Sequence, residues 1–101
     1  MENVVYVDAD LEDLIPEFLE NRHADVVMIS ELLTCGNLGE IQRLGHSMKG
    51  SGGGYGFDEI TRIGAAIEEA AKATDLEAVR RLNHELSRYL SNVKVVFQEE
   101  S

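Results

Sequence analysis

Leu44-Gly45-His46-Ser47-Met48-Lys49-Gly50-Ser51-Gly52-Gly53-Gly54-Tyr55-Gly56 is the stretch on which the reading of this chain turns. At about 100° per residue on a helix, Ile41, Leu44 and Met48 fall on one stripe. Such a stripe must face a core. His46 lies roughly 140° from the middle of it, so its imidazole is expected to point into water. Lys49 at i+3 and Gly50 at i+4 are its neighbours on the helix surface. Gly53, at i+7, continues the same line. The expected surface is an exposed ring, one cation beside it, and a strip of bare backbone.

Glycine inside a helix costs roughly 1 kcal/mol against alanine. A fraying helix end followed by a turn, with Gly56 in the left-handed conformation, accounts for Gly54 and Gly56. It accounts less well for Gly45 and Gly50, which flank His46. For these two the expectation is that the surface of a partner must approach the imidazole, where a Cβ would block it.

The flanking sequence supplies more helices. Leu14, Ile15, Phe18, Leu19, Val26, Ile29, Leu32 and Leu33 repeat with a helical period over Asp13 to Thr34, and Pro16 belongs in a first turn. Gly36-Asn37 ends this helix. Asn37 then caps a second helix over about 38–52, with Glu40 three residues on as in a capping box. Residues 53–56 form the connection. A third helix over about 57–73 turns Phe57, Ile60, Ile63, Ile67 and Ala70 or Ala71 inward, and Gly64 suggests close approach to a neighbour. Thr74-Asp75-Leu76-Glu77 is a second capping-box pattern. It opens a fourth helix, to about Phe97, whose seam is Leu76, Val79, Leu82, Leu86, Tyr89 or Leu90, Val93 and Phe97. Val4-Val5-Tyr6-Val7 has no evident second strand to pair with, so residues 1–8 are expected to be a tail, with Asp8 or Asp10 capping a short turn after it. Long amphipathic helices with short connections stack antiparallel. The predicted fold is all-α, an up-down-up-down four-helix bundle with one short extra N-terminal turn, in a single domain spanning 1–101.

Composition limits the functions available. The chain has 101 residues, 44% of them hydrophobic and 28% charged, which is the composition of one globular domain. Its net charge of −10 argues against nucleic acid and anionic membrane as partners. A single cysteine, Cys35, allows no internal disulfide and suits a reducing compartment. No apolar run nears the ~20 residues that span a bilayer. A cytoplasmic protein is expected. No Walker pattern is present, because Ser51 follows Gly45-x4-Gly50 where a lysine is needed. No Gly-x-Gly-x-x-Gly register fits, because Tyr55 or Phe57 falls on the last glycine.

His46-x-x-Lys49-Gly50-Ser51, then Gly56, then Phe57, Ile60, Ile63 and Ile67 with Glu68, resembles the histidine-containing phosphotransfer domains of bacterial phosphorelays. The resemblance runs through two helices, and the flanking helices agree in length and pattern. Imidazole titrates near pH ~6.5, so its neutral, nucleophilic form is abundant in a cytoplasm. Lys49 would offset phosphoryl charge, as positioned cations do in phosphoryl transfer generally. Gln42 or Arg43, at i−4 and i−3, would bond the ring or the phosphoryl oxygens, and Gly50 and Gly53 would form the docking strip.

The chain has no group with which to bind ATP, so it is expected to lack kinase activity and to hold no cofactor. The resemblance implies that donor and acceptor are response-regulator receiver domains or a sensor histidine kinase, which bring the Mg²⁺. The resemblance also implies a monomer at this size. His23 and His84 lack such surroundings, Met28 and Met48 read as core, and Glu68-Glu69 and Arg80-Arg81 read as solvated faces. The rival reading is a helical adaptor that binds a signalling partner without phosphorylation. A di-metal carboxylate bundle, which needs inward Glu and Glu-x-x-His pairs, is set aside.

Overall fold

The computed structural model describes residues 3–99. Four helices pack antiparallel: α1 (Ile15–Cys35), α2 (Leu38–Gly54), α3 (Asp58–Lys72) and α4 (Leu76–Asn92). A 3-10 turn over Ala9–Leu14 precedes α1, and Asp8 caps it by accepting the Asp10 N–H. The expected bundle and its extra turn are therefore present. Pro16 sits in the first turn of α1, as predicted.

The first three helices each end on an identifiable stop. Gly36 is left-handed (φ 72°), and Asn37 N–H donates to Leu32 C=O at 2.9 Å. Gly56 is left-handed (φ 84°), and Phe57 N–H donates to Gly52 C=O at 2.8 Å. Thr74 is left-handed (φ 59°), and Asp75 N–H donates to Ala70 C=O at 2.9 Å. All three are six-to-one Schellman closures. The second moves a predicted boundary, because Gly53 and Gly54, expected in the connection, join Gly52 in the last turn of α2. Asn37 caps α2 as expected, accepting the Glu40 N–H. The box is only half made, since the Glu40 carboxylate turns to Arg43. At the next helix Asp75, not Thr74, is the cap and accepts the Ala78 N–H.

The core is built from Ile29, Ile41, Met48, Phe57, Ile60, Ile63, Ile67, Val79 and Leu86, all with at most 1% exposure. Met28, expected inside, is 48% exposed. It lies on the flank of α1 away from Phe18 and Ile29. The inward line of α2 runs through Ile41, Gly45, Met48 and Gly52, while Leu44 is only partly covered.

The two ends of the chain differ from expectation. Residues 3–8 are not a tail and α4 does not reach Phe97. β1 (Asn3–Asp8) pairs in parallel with β2 (Val93–Gln98), in the register Asn3↔Val93 to Asp8↔Gln98. Residues 1 and 2 of the predicted tail lie outside the described residues. Leu86, Leu90, Val93 and Phe97 satisfy a helical period, which hid the strand. However, Val93, Val95, Val96 and Phe97 are β-branched or aromatic and suit a pleated, half-covered surface. Val7 (2% exposed), with Val5, Val95 and Phe97, seals one end of the core.

Candidate functional site

α2 and α3 meet through their glycines. A Cβ at Gly45 would lie 2.8 Å from Gly64 O and from Glu68 N, and one at Gly64 would lie 2.7 Å from Lys49 N. The predicted close approach at Gly64 is therefore real. The expectation for Gly45 is corrected: it is bare because a neighbouring helix occupies that space, not because a partner must reach the ring. Gly50 differs, since nothing lies within 4 Å of a Cβ built there. Gly53 is also exposed, with only Thr61 Oγ1 at 3.6 Å from such an atom.

This short interhelical distance brings three side chains together. His46 projects from α2 with 68% of its side chain exposed. Its Nδ1 lies 2.9 Å from Glu68 Oε2. Lys49 Nζ donates to Glu68 Oε1 at 3.0 Å. Lys72, one turn after Glu68, brings a further ammonium to 4.0 Å from Oε2. Only 9% of the Glu68 side chain is exposed. The reading of Glu68 as part of a solvated face is overturned, and Glu68 is the anionic centre of the site. One signal for it was available: it stands four residues after Gly64, on the side of α3 that the glycine contact turns toward α2.

Electrostatics settles the protonation of this cluster. The hydrogen bond from Lys49, and then that from His46, hold the Glu68 carboxyl below its ordinary value against the opposing effect of burial. Near neutral pH it is ionised, and an ionised carboxylate only accepts hydrogen bonds. The Nδ1 of His46 must therefore carry a hydrogen and donate it. In the neutral ring this leaves the lone pair on Nε2, away from Glu68. The same carboxylate–imidazole device orients rings at metal and catalytic centres.

The remaining predicted residues lie around the ring. Gln42, Arg43, Gly39, His46 and Glu68 line a shallow depression of about 390 Å³. Gln42 is half-buried there. Arg43 is held by Glu40, with Nη2 at 2.8 Å from Oε2, so its guanidinium is already partnered. A larger groove of about 530 Å³ lies between α1 and α4 at Val26, Ser30 and Asn83, and includes none of these residues. His23 and His84 are exposed and form no part of the cluster. Glu20 and His23 do stand at Glu-x-x-His spacing on α1, but both are exposed. Among the described residues no three His, Cys, Asp or Glu side chains are grouped to hold a metal ion. No described helix is long and apolar enough to cross a membrane.

The sequence matches the family model of the Hpt domain over residues 13–94. No curated protein and no solved structure gives a significant match. An exposed helical histidine tied to a carboxylate on the next helix, within a match that covers most of the chain, places this protein in the Hpt domain family, whose members carry phosphoryl groups on histidine in phosphorelays.

Proposed function

We propose that His46 is the residue that carries the phosphoryl group, and that this protein takes it from one receiver domain and delivers it to another. The observation that carries this reading is the exposed imidazole whose Nδ1–H is held by Glu68. In the first step Nε2 attacks the phosphorus of the donor's aspartyl phosphate in line. An N–P bond forms, the acyl phosphate O–P bond breaks, and the aspartate leaves as a carboxylate. Nδ1 keeps its proton throughout, donating it to the Glu68 carboxylate, so the phosphorylated ring keeps imidazolium character and remains a good leaving group. In the second step the carboxylate of the next receiver attacks the phosphorus, and Nε2 recovers its lone pair.

Lys49 begins this cycle bonded to Glu68, with 41% of its side chain exposed. It is therefore within reach of solvent and of an incoming phosphoryl group. Opposite charge placed where negative charge gathers is the main aid a protein gives to phosphoryl transfer. On this reading Mg²⁺ and the phosphorylated aspartate belong to the receiver, and the chain itself is a carrier without kinase activity. Gln42, Arg43, Gly50 and Gly53 form the surface on which the receiver sits. A sensor histidine kinase stands upstream, and the exchange takes place in the cytoplasm.

Incubation with a phosphorylated receiver and Mg²⁺ tests the proposal. The protein should acquire acid-labile, alkali-stable phosphate, and the His46→Gln variant should acquire none. If wild type and variant label alike, or if neither labels with any cognate receiver, the rival reading of a non-phosphorylated helical adaptor takes its place.

A further inference from the structure

Glu68 has a third basic neighbour besides His46 and Lys49, and the transfer cycle leaves it unused. Lys72 is the last residue of α3 and stands one turn after Glu68. Its ammonium lies 4.0 Å from Glu68 Oε2 and 3.6 Å from Glu69 Oε1, beyond hydrogen-bonding distance of either. About half of its side chain is exposed. Lys49 and His46 hold the Glu68 carboxyl below its ordinary value, and Lys72 has no share in this. Lys72 thus waits beside a carboxylate whose partners are already in place.

Phosphorylation changes what is asked of Lys49. A phosphoryl group on a side chain brings about two negative charges near neutral pH. On His46 it stands at Nε2, the ring nitrogen remote from Glu68. When Lys49 serves those oxygens, its ammonium leaves Oε1. Glu68 is then a carboxylate with only 9% of its side chain exposed, short of one partner and repelled by the new charge. A buried charge stripped of its partner is costly. If the carboxyl took up a proton instead, its charge-assisted bond to Nδ1–H would weaken and the ring would lose its orientation.

A second ammonium removes this conflict. Residues at i and i+4 are neighbours on a helix, and glutamate ahead of lysine is the favoured order, so Lys72 reaches Glu68 by turning its own side chain. It gives up little, because Glu69 is 73% exposed and a pair of that kind contributes little. Arg43 is not available for the role, since its guanidinium is committed to Glu40. On the reading of His46 as the phosphoryl carrier, we propose that Lys72 replaces Lys49 on Glu68 whenever Lys49 turns to the phosphoryl group. The carboxylate then keeps an ammonium, and His46 keeps its orientation through both transfer steps. Lys72 is a positioning residue that acts through Glu68, and no covalent bond changes at it.

Two measurements test this. The first needs no phosphate and follows the titration of the Glu68 carboxyl by carbon-13 NMR. Lys72→Met should leave that titration unchanged while Lys49 is present. In the Lys49→Met variant it should raise the proton affinity of Glu68 about two- to fivefold, the contribution of a partly exposed ion pair. The second loads His46 with phosphoramidate and times delivery to a receiver domain with Mg²⁺. Lys72→Met should slow delivery several-fold at unchanged helicity, and Lys72→Arg should restore it. In a Glu68→Gln background, Lys72→Met should have no further effect. A Glu68 titration indifferent to Lys72 in the Lys49→Met variant overturns the proposal. So does delivery at the wild-type rate by loaded Lys72→Met. Equal slowing in the Glu68→Gln background overturns it too, by putting Lys72 on the phosphoryl group itself. If wild-type His46 takes up no phosphate, the carrier reading falls, and the titration alone decides whether Lys72 relieves Lys49.

Discussion

At the residue scale the site depends on one carboxylate. Glu68 accepts from His46 and Lys49 at 2.9 and 3.0 Å with little exposure, so neither contact is easily replaced by water. Removing an oriented partner of this kind typically costs 10–100-fold in the activity of the ring it holds. Glu68→Ala should therefore slow phosphoryl transfer by about that factor while leaving the far-ultraviolet circular dichroism unchanged. Glu68→Gln, whose amide oxygen still accepts from Nδ1, should recover part of the rate; equal rates for Ala and Gln would remove Glu68 from ring orientation. Acid should act in the same way as substitution. The Glu68 carboxyl is held below its ordinary value of about 4.3, chiefly by Lys49. A depressed carboxylate stabilises the fold above its unfolded value, and the effect is lost as pH falls through the lower folded value. Wild type should thus lose stability below about pH 4 more steeply than Glu68→Gln, as thermal melts across pH 2–6 would show.

At the element scale the glycines divide into two kinds. Gly45 and Gly64 let α2 and α3 approach, and a methyl group on either would lie under 3 Å from backbone atoms. Overpacking of this kind costs roughly 1–3 kcal/mol. Gly45→Ala should cost that much in a urea titration, and it should also disturb the Glu68 contacts. Gly50→Ala meets no neighbour and should stabilise by up to about 1 kcal/mol through helix propensity. A bulkier Gly50→Leu should weaken receiver binding without lowering stability. Thr74 is a further local conflict. It is a β-branched residue at φ 59°, where a Schellman closure favours glycine. Thr74→Gly should raise stability by about 1 kcal/mol, a few degrees in Tm for a chain of this length.

At the scale of the whole molecule, the four helices enclose a core that the strand pair closes at one end. Val7 is almost fully buried there, and burying a valine side chain contributes roughly 1.5–3 kcal/mol. Removing residues 1–8 should lower Tm by an amount in keeping with that loss, because β2 also loses its pairing. Transfer through His46 should persist, since His46, Lys49 and Glu68 all lie on α2 and α3. Loss of transfer in a truncated chain that stays folded would show that the sheet reaches the site. The molecule is elongated, with extents of 48 × 25 × 18 Å, which leaves its helical flanks and its sheet end as separate surfaces.

Much was legible from residue order alone. The 3.6-residue spacing of Ile60, Ile63 and Ile67, the cap at Asn37 and the stop at Gly36 are local signals, and each means the same thing wherever the chain goes. They marked four helices, and the offset of His46 from Ile41 and Met48 turned its ring outward. Three features had to wait for the packed molecule. Glu68 belonged to the resemblance yet read as a solvated residue, and its partners emerged only when Gly45 met Gly64 and brought it under His46. Gly45 and Gly50 looked alike until one was found against a backbone and the other in open space. Val93–Gln98 satisfied a helical period and became a strand because β1, some ninety residues earlier, lay alongside it. Propensity and capping depend on near neighbours in sequence, whereas strand pairing, helix contact and the ionisation of a carboxylate depend on what the fold sets beside it.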